Sequence, residues 1–332
     1  MTEITLQIAR DAVRHRARWS GLEVAFWLAV AIGYVLFPER LVLLTQILIS
    51  GIFAMSLDLL LGYGGIPSFG HAAFFGLGAY AAGLLATHGW GEPITGLLAG
   101  GLVAGGLGLV FGSVIARVRG AAVLMITLCV GLMLYEVASR LPRITGGDTG
   151  LQGIEMWPIL GRFEFDLFGE TAFWYTYIVA FVLYVAARRY VHSPEGLALE
   201  ALRENSQRIP ALGISPARRK IIVFAMSAAI AGFAGALLAQ TMQIVALETL
   251  SFERSVSGLV MLIVGGLGTL IGGFIGAAVF ILLRDILSAM NPVYWMFWLG
   301  LVLIAVVLLA RGGLARGVAA LAGTFRRRRV GR

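Results

Sequence analysis

The sequence predicts an all-α integral membrane protein of about ten transmembrane helices, and three observations carry that reading. Of its 332 residues, 59% are apolar and only 13% charged, with a mean hydropathy of +0.88, a balance that water-soluble domains of this size do not show. Crossing a ~30 Å hydrocarbon layer takes roughly 20 apolar residues, and the chain offers about ten such runs, too many for a signal peptide or a single anchor. Its 44 glycines let backbones approach one another, which points to a tightly packed bundle.

Apolar runs and their punctuation place the spans at 20–37, 41–61, 70–88, 94–116, 120–139, 172–188, 221–243, 256–272, 273–288 and 292–310. Of the 26 lysines and arginines, all but six (Arg40, Arg140, Arg143, Arg162, Arg254 and Arg284) fall toward one side of these spans. The positive-inside rule puts that side, with both termini, in the cytoplasm, which requires an even number of crossings. The transmembrane domain, 20–310, is then flanked by basic cytoplasmic tails, 1–19 and 311–332. Its hydrophilic stretches are an outer loop, 140–171, and a cytoplasmic loop, 189–220, each too short to hide a soluble domain. The arginine run at 326–329 reads as a contact with anionic lipid and not with nucleic acid.

Two glycine-interrupted segments stand in corresponding places. Gly64-Gly65-Ile66-Pro67-Ser68-Phe69-Gly70 opens the third span, and Gly265-Gly266-Leu267-Gly268-Thr269-Leu270 sits in the eighth; Gly78-Ala79 follows the first and Gly276-Ala277 the second. Either this is a weak internal repeat of two halves, of the kind that marks a substrate pathway, or it is coincidence in a glycine-rich chain. On a helix after the first break, Ala72, Gly76, Ala79 and Gly83 form a stripe of small residues that reads as a packing seam. His71, Phe74, Phe75 and Gly78 form a second stripe, just after a break whose unpaired N–H groups suit a carboxylate. Ser68, Phe69, Gly70, His71, Phe74, Phe75 and Gly78 are therefore the candidate substrate path. The plain alternative is that His71 satisfies a local carbonyl while the phenylalanines face lipid.

Acidic residues inside apolar runs each call for a partner or an interfacial position. Asp58, one turn before Gly62-Tyr63-Gly64, is expected near the headgroups; Glu136 is expected to pair with Arg140 four residues on; Arg284 and Asp285 are expected to reach the outer interface. In the cytoplasmic loop, Ser193-Pro194-Glu195 is a helix start with a capping hydroxyl and a proline at the first helical position, and a short helix should run to about Arg208. Pro210 breaks it, and Ala211-Leu212-Gly213-Ile214 forms a brief apolar turn before Arg218-Arg219-Lys220. Such a loop either docks a protein or lies on the lipid surface. At 144–155 a Gly-Gly-Asp turn with apolar neighbours either contacts a partner on the outside or is simply a turn held by Asp148.

Chemistry of its own is not written into the chain. Cys129 is the sole cysteine, and His15, His71, His88 and His192 are too scattered for a metal site. Lys220 is the sole lysine and follows an arginine, so no phosphate-binding loop for a nucleotide exists. These features fit a transport subunit driven by another protein better than an ion-coupled secondary carrier or a channel.

The residues also resemble a known family. Ser56-Leu57-Asp58-Leu59-Leu60-Leu61-Gly62-Tyr63-Gly64-Gly65 followed by Ser68-Phe69-Gly70-His71-Ala72-Ala73-Phe74-Phe75-Gly76-Leu77-Gly78-Ala79-Tyr80 is similar to the signature of permease subunits, of the larger type, of high-affinity branched-chain amino acid ABC importers. Further blocks agree: Thr145-Gly146-Gly147-Asp148-Thr149-Gly150-Leu151 resembles the outer-loop motif, and Gly265-Gly266-Leu267-Gly268-Thr269 the late glycine motif. Leu202-Arg203-Glu204-Asn205 with Leu212-Gly213-Ile214 and Lys220 resembles the loop that contacts the ATPase. The resemblance implies ATPase coupling through Arg203, Glu204, Asn205, Ala211, Leu212, Gly213, Ile214 and Lys220, and binding-protein docking through Gly146, Gly147, Asp148 and Thr149. It implies a homologous second permease, two cytoplasmic ATP-binding subunits that use ATP and magnesium, a periplasmic substrate-binding protein, and residence in a bacterial inner membrane. This chain itself would bind no cofactor and catalyse no reaction. Asp58, Ile66-Pro67 and Pro210 depart from the family pattern, and members also move other amino acids, amides, urea and carboxylates, so the cargo is a branched-chain amino acid or a related small molecule.

Overall fold

The computed structural model describes residues 19–118, 120–166, 169–205, 209–213, 215–309, 312–314 and 317; the basic tails expected at 1–19 and 311–332 lie almost wholly outside them. An apolar helix stands at each of the ten expected spans: α1 Gly21–Leu36, α2 Leu41–Leu57, α3 Ala72–Thr87, α4 Pro93–Ile115, α5 Ala121–Arg140, α6 Glu170–Val191, α8 Pro216–Met242, α9 Phe252–Gly265, α10 Ile271–Met290 and α11 Trp295–Leu309. Between α6 and α8 lies the short helix α7, Pro194–Glu204. Among the described residues six stretches, namely Pro38–Tyr63, α4, α5, α6, α8 and α10, are long and apolar enough to cross a membrane, so the chain is a multi-pass membrane protein. No strand forms among the described residues, only isolated bridges.

Two expected spans have different ends. The eighth stops at Gly265, not at residue 272, because Gly266 and Gly268 take φ of 113° and 74°, conformations a helix cannot continue through. Residues 266–270 are therefore a turn, and the ninth helix begins at Ile271. The second span instead runs on past Leu57 as a π-helical turn, Asp58–Tyr63, before the chain opens at Gly64.

The core sits around α8, packed between α3 and α4. One close approach is at Gly78, where an added Cβ would lie 2.1 Å from the carbonyl oxygen of Gly232. No side chain fits there, and the two backbones meet directly. A second packing unit joins α2, α9 and α10, with α11 against it. Val35, Leu102, Met125 and Ile304 project outward, as lipid-facing side chains must in a bundle whose interior is already filled.

The two ends of the bundle differ. At one, the 140–169 segment meets the 243–251 turn through an antiparallel bridge between Leu151 and Val245, and Trp157 donates its backbone N–H to Gly91 at 2.8 Å. At the other, α7 lies against the turn at residues 58–63, which is bonded in turn to the 268–270 segment.

Candidate functional site

The two interrupted segments meet at Asp58. Its side chain is fully buried and accepts three backbone N–H bonds, from Gly268 at 2.6 Å, Thr269 at 3.1 Å and Leu270 at 2.8 Å. The carboxylate is kept inside the protein because the turn before α10 presents unpaired N–H groups that an anion satisfies together. Tyr63 adds a bond from its hydroxyl to the Gly268 carbonyl at 3.0 Å. Gly62 leaves the room for this, since a Cβ there would collide with the Asp58 carboxylate.

The π-helical turn also decides which carbonyls remain free. Gly64, Gly65 and Ile66 donate to Leu59, Leu61 and Leu60, which leaves the buried Gly62 carbonyl without a backbone donor at the helix end. Arg203 of α7 fills that place, donating a guanidinium N–H to Gly62, while its aliphatic stem lies over Gly65. A cavity of about 500 Å³ opens beside this contact, lined by Gly65, Pro67, Val118, Val123, Leu202 and Lys220 among others.

The expected substrate-path residues are placed differently from one another. Phe69 is half-buried and stacks edge-on against Phe252, whereas Ser68, Gly70, His71, Phe74, Phe75 and Gly78 are buried, and none of the seven lines either large cavity. His71 ties three helices: its Nε2 lies 3.0 Å from Ser56 Oγ of α2 and 3.2 Å from Ser227 Oγ of α8. The start of α3 is not open to a carboxylate, because Ser255 Oγ accepts from the Ala72 N–H at 2.9 Å and Gly70 and His71 accept from Ala73 and Phe74. Gly70 is pressed on Thr127, and Phe74 meets Phe224 edge to face.

At the α7 end, Ser193 caps the helix and Leu199 and Leu202 are buried against the bundle. The helix ends at Glu204, four residues short of the expected Arg208, because Asn205 takes an extended φ of −150°. Glu204 and Asn205 are exposed, and Lys220 is half-buried. Ala211 and Leu212 fall in the 3-10 turn, Gly213 follows with φ of 76°, and Ile214 lies outside the described residues. Arg219 pairs with Glu195, fastening α7 to the first turn of α8.

At the opposite end, Gly146 is half-buried, Gly147 buried, and Asp148 and Thr149 exposed. Thr145 and Thr149 hold this turn, through bonds from Thr145 Oγ1 to Ala138 at 2.6 Å and from Thr149 Oγ1 to Gly146 at 2.7 Å. Asp148 makes no side-chain bond among the described residues, so the turn does not depend on it. The Glu136–Arg140 pair forms at 2.5 Å as expected. Asp285 pairs with Arg40 at 3.4 Å, while Arg284 lines a second cavity. Sequence reading missed the buried hydroxyls of Ser56, Ser227 and Ser255, whose partners lie up to 183 positions away. It also missed the Glu23–Arg188 pair at 3.2 Å, to which Tyr184 donates at 2.6 Å. The N-cap pattern Ser20-x-x-Glu23 was its visible half.

Helices broken at one end, tied to each other there and strapped by a short amphipathic helix, define a membrane transport subunit. The chain belongs to the permease family described as the branched-chain amino acid transport system permease component, whose model matches residues 40–307. It is 30% identical over 296 residues to the high-affinity branched-chain amino acid transport system permease protein LivM of Escherichia coli, covering 82% of this chain and 69% of that one. A probable branched-chain amino acid transport permease protein LivM of Methanocaldococcus jannaschii is 26% identical over 71% of this chain and 78% of its own. The L-arabinose ABC transporter permease protein AraH of Azospirillum brasilense is 29% identical over 90% of this chain and 89% of its own. No solved structure matches. As an ABC-transporter permease it is a transport subunit of a larger complex.

Proposed function

We propose that this chain is the permease subunit of an ATP-driven importer for branched-chain or related amino acids, in which α7 passes the movement of a docked ATPase to the broken segments. The observation that carries this reading is the bond from Arg203 to the Gly62 carbonyl. Glu204, Asn205, Pro210 and Gly213 face outward, the arrangement a docking element needs, while Leu199 and Leu202 hold α7 to the bundle. A push on α7 then reaches residue 62, and through Asp58 the turn before α10, without crossing any soft element. Two ATP-binding subunits would supply ATP and magnesium, a homologous permease would complete the path, and a periplasmic binding protein would deliver cargo to the end that carries Asp148. In this reading both termini lie in the cytoplasm and the membrane is a bacterial inner membrane.

In this reading the segment 68–78 is the pivot about which the helices move. Backbone contact at Gly78 and the His71 tie hold α3 to α8, so the two shift together. The test is to replace Arg203 by alanine in the intact complex and measure ATP hydrolysis and uptake together. Hydrolysis with uptake lost supports the reading, and uptake at the original rate rejects it.

A further inference from the structure

The larger cavity, about 600 Å³, lies at the end away from α7, between α2, the 243–251 turn and the outer halves of α9, α10 and α11. Exposed Phe252, Glu253 and Met296 form part of its wall, so it opens at that end. Its wall holds both signs of charge, Arg254 and Arg284 with Glu248 and Glu253, together with buried apolar side chains such as Met261, Phe280 and Leu299.

Arg254 is the residue that needs explaining. It stands in the first turn of α9, its backbone fixed by the N-cap Ser251, and the next residue, Ser255, pins the start of α3. Its guanidinium sits 4.9 Å above the Phe75 ring and makes no ion pair or hydrogen bond among the described residues. A half-buried arginine on a membrane helix is costly to leave without an anionic partner, whereas an aromatic face holds the cation without using up its N–H donors. The fork of donors is thus positioned and left available, the condition for receiving a carboxylate in a bidentate way.

We infer that this cavity is a cargo site for a zwitterionic α-amino acid with an apolar side chain, Arg254 receiving the carboxylate, Glu248 the ammonium, and Met261, Phe280 and Leu299 the side chain. The inference rests on the reading of the chain as an amino acid permease and moves the point of contact from the 68–78 segment to the cavity that Phe75 supports from below. Equal numbers of both charges favour a zwitterion over a simple anion, and the volume accommodates one small molecule with water.

Two measurements on the complex in its own membranes test it. The first maps phenylglyoxal modification of Arg254 by mass spectrometry with L-leucine, L-leucinamide or 4-methylpentanoate present. L-leucine is expected to slow modification several-fold and L-leucinamide, which has no carboxylate, to leave it unchanged. Weaker protection by 4-methylpentanoate than by L-leucine supports the Glu248 role, and equal protection overturns it. Modification of Arg254 at one rate in all conditions overturns the site. This arm does not depend on ATP, so failure of the ATP-driven reading and failure of the site are seen separately. The second compares L-leucine uptake by Arg254→Gln and Arg254→Lys. The Gln variant is expected to raise the half-saturating concentration about ten-fold or more, with partial recovery by Lys, because a charge-assisted bond is lost in one and retained in the other. An unchanged value in an assembled Gln variant overturns the proposal.

Discussion

Replacing Asp58 by alanine removes the acceptor of three N–H bonds at once. The donors, Gly268, Thr269 and Leu270, are held in a turn whose glycines have positive φ, so they cannot turn to find other partners. Each buried donor left unsatisfied costs about 1–3 kcal/mol, which sums to about 3–9 kcal/mol, a large part of the roughly 5–15 kcal/mol by which a folded domain is stable. Asparagine is the informative comparison. Its one carbonyl oxygen can serve Thr269 and Leu270, but its amide then points a donor at the Gly268 N–H, so about 1–3 kcal/mol is lost. The assay is the temperature at which half of the detergent-solubilised complex ceases to elute as a single species. At roughly 2 °C per kcal/mol for a chain of this size, Asp58→Ala lowers that midpoint by about 6 °C or more, and Asp58→Asn by a smaller amount in the same direction. An alanine variant as stable as the parent would refute the idea that this carboxylate joins the two broken segments.

Other outcomes follow from the same geometry. Gly78→Val, which drives a side chain into the Gly232 backbone, abolishes assembly of the bundle, whereas Gly106→Ala, with open space around it, leaves stability the same or slightly higher; yields of folded protein after membrane extraction compare the two. Gly213→Val strains a residue with φ of 76° by about 1–2 kcal/mol while meeting no neighbour, so it uncouples ATP hydrolysis from uptake and leaves membrane insertion intact, as quantitative immunoblotting would show. Arg188→Ala leaves the Glu23 carboxylate largely buried without its cation and destabilises the α1–α6 contact by about 3–5 kcal/mol, measurable as faster proteolysis at α1. Asp148→Lys leaves the melting midpoint unchanged, because Thr145 and Thr149 hold its turn, and weakens capture of the substrate-loaded binding protein in a pull-down.

Much of the architecture was legible because hydrophobic length and basic-residue placement are local signals. Helices stand at all ten expected positions, and the capped start of α7 at Ser193 and Pro194 is where the sequence puts it. What could not be read was pairing across the fold. The partners of Asp58 were hidden because its three donors lie 210 to 212 positions away. Helical periodicity says that His71 and Gly78 share a face, not which neighbour covers that face, and here it is α8. The extent of the eighth span was misread for a related reason. Glycines permit both close helix packing and left-handed turns, and only the backbone at Gly266 and Gly268 decides between them.

The most direct test of the central claim is uptake by the purified complex, with its own ATPase subunits and binding protein, in sealed vesicles with the α7 end facing inward. Labelled L-leucine delivered by the binding protein should accumulate only when ATP and magnesium are enclosed, and should stop when Arg203 is replaced by alanine although hydrolysis continues. Accumulation driven by an imposed proton or sodium gradient without ATP would contradict the account.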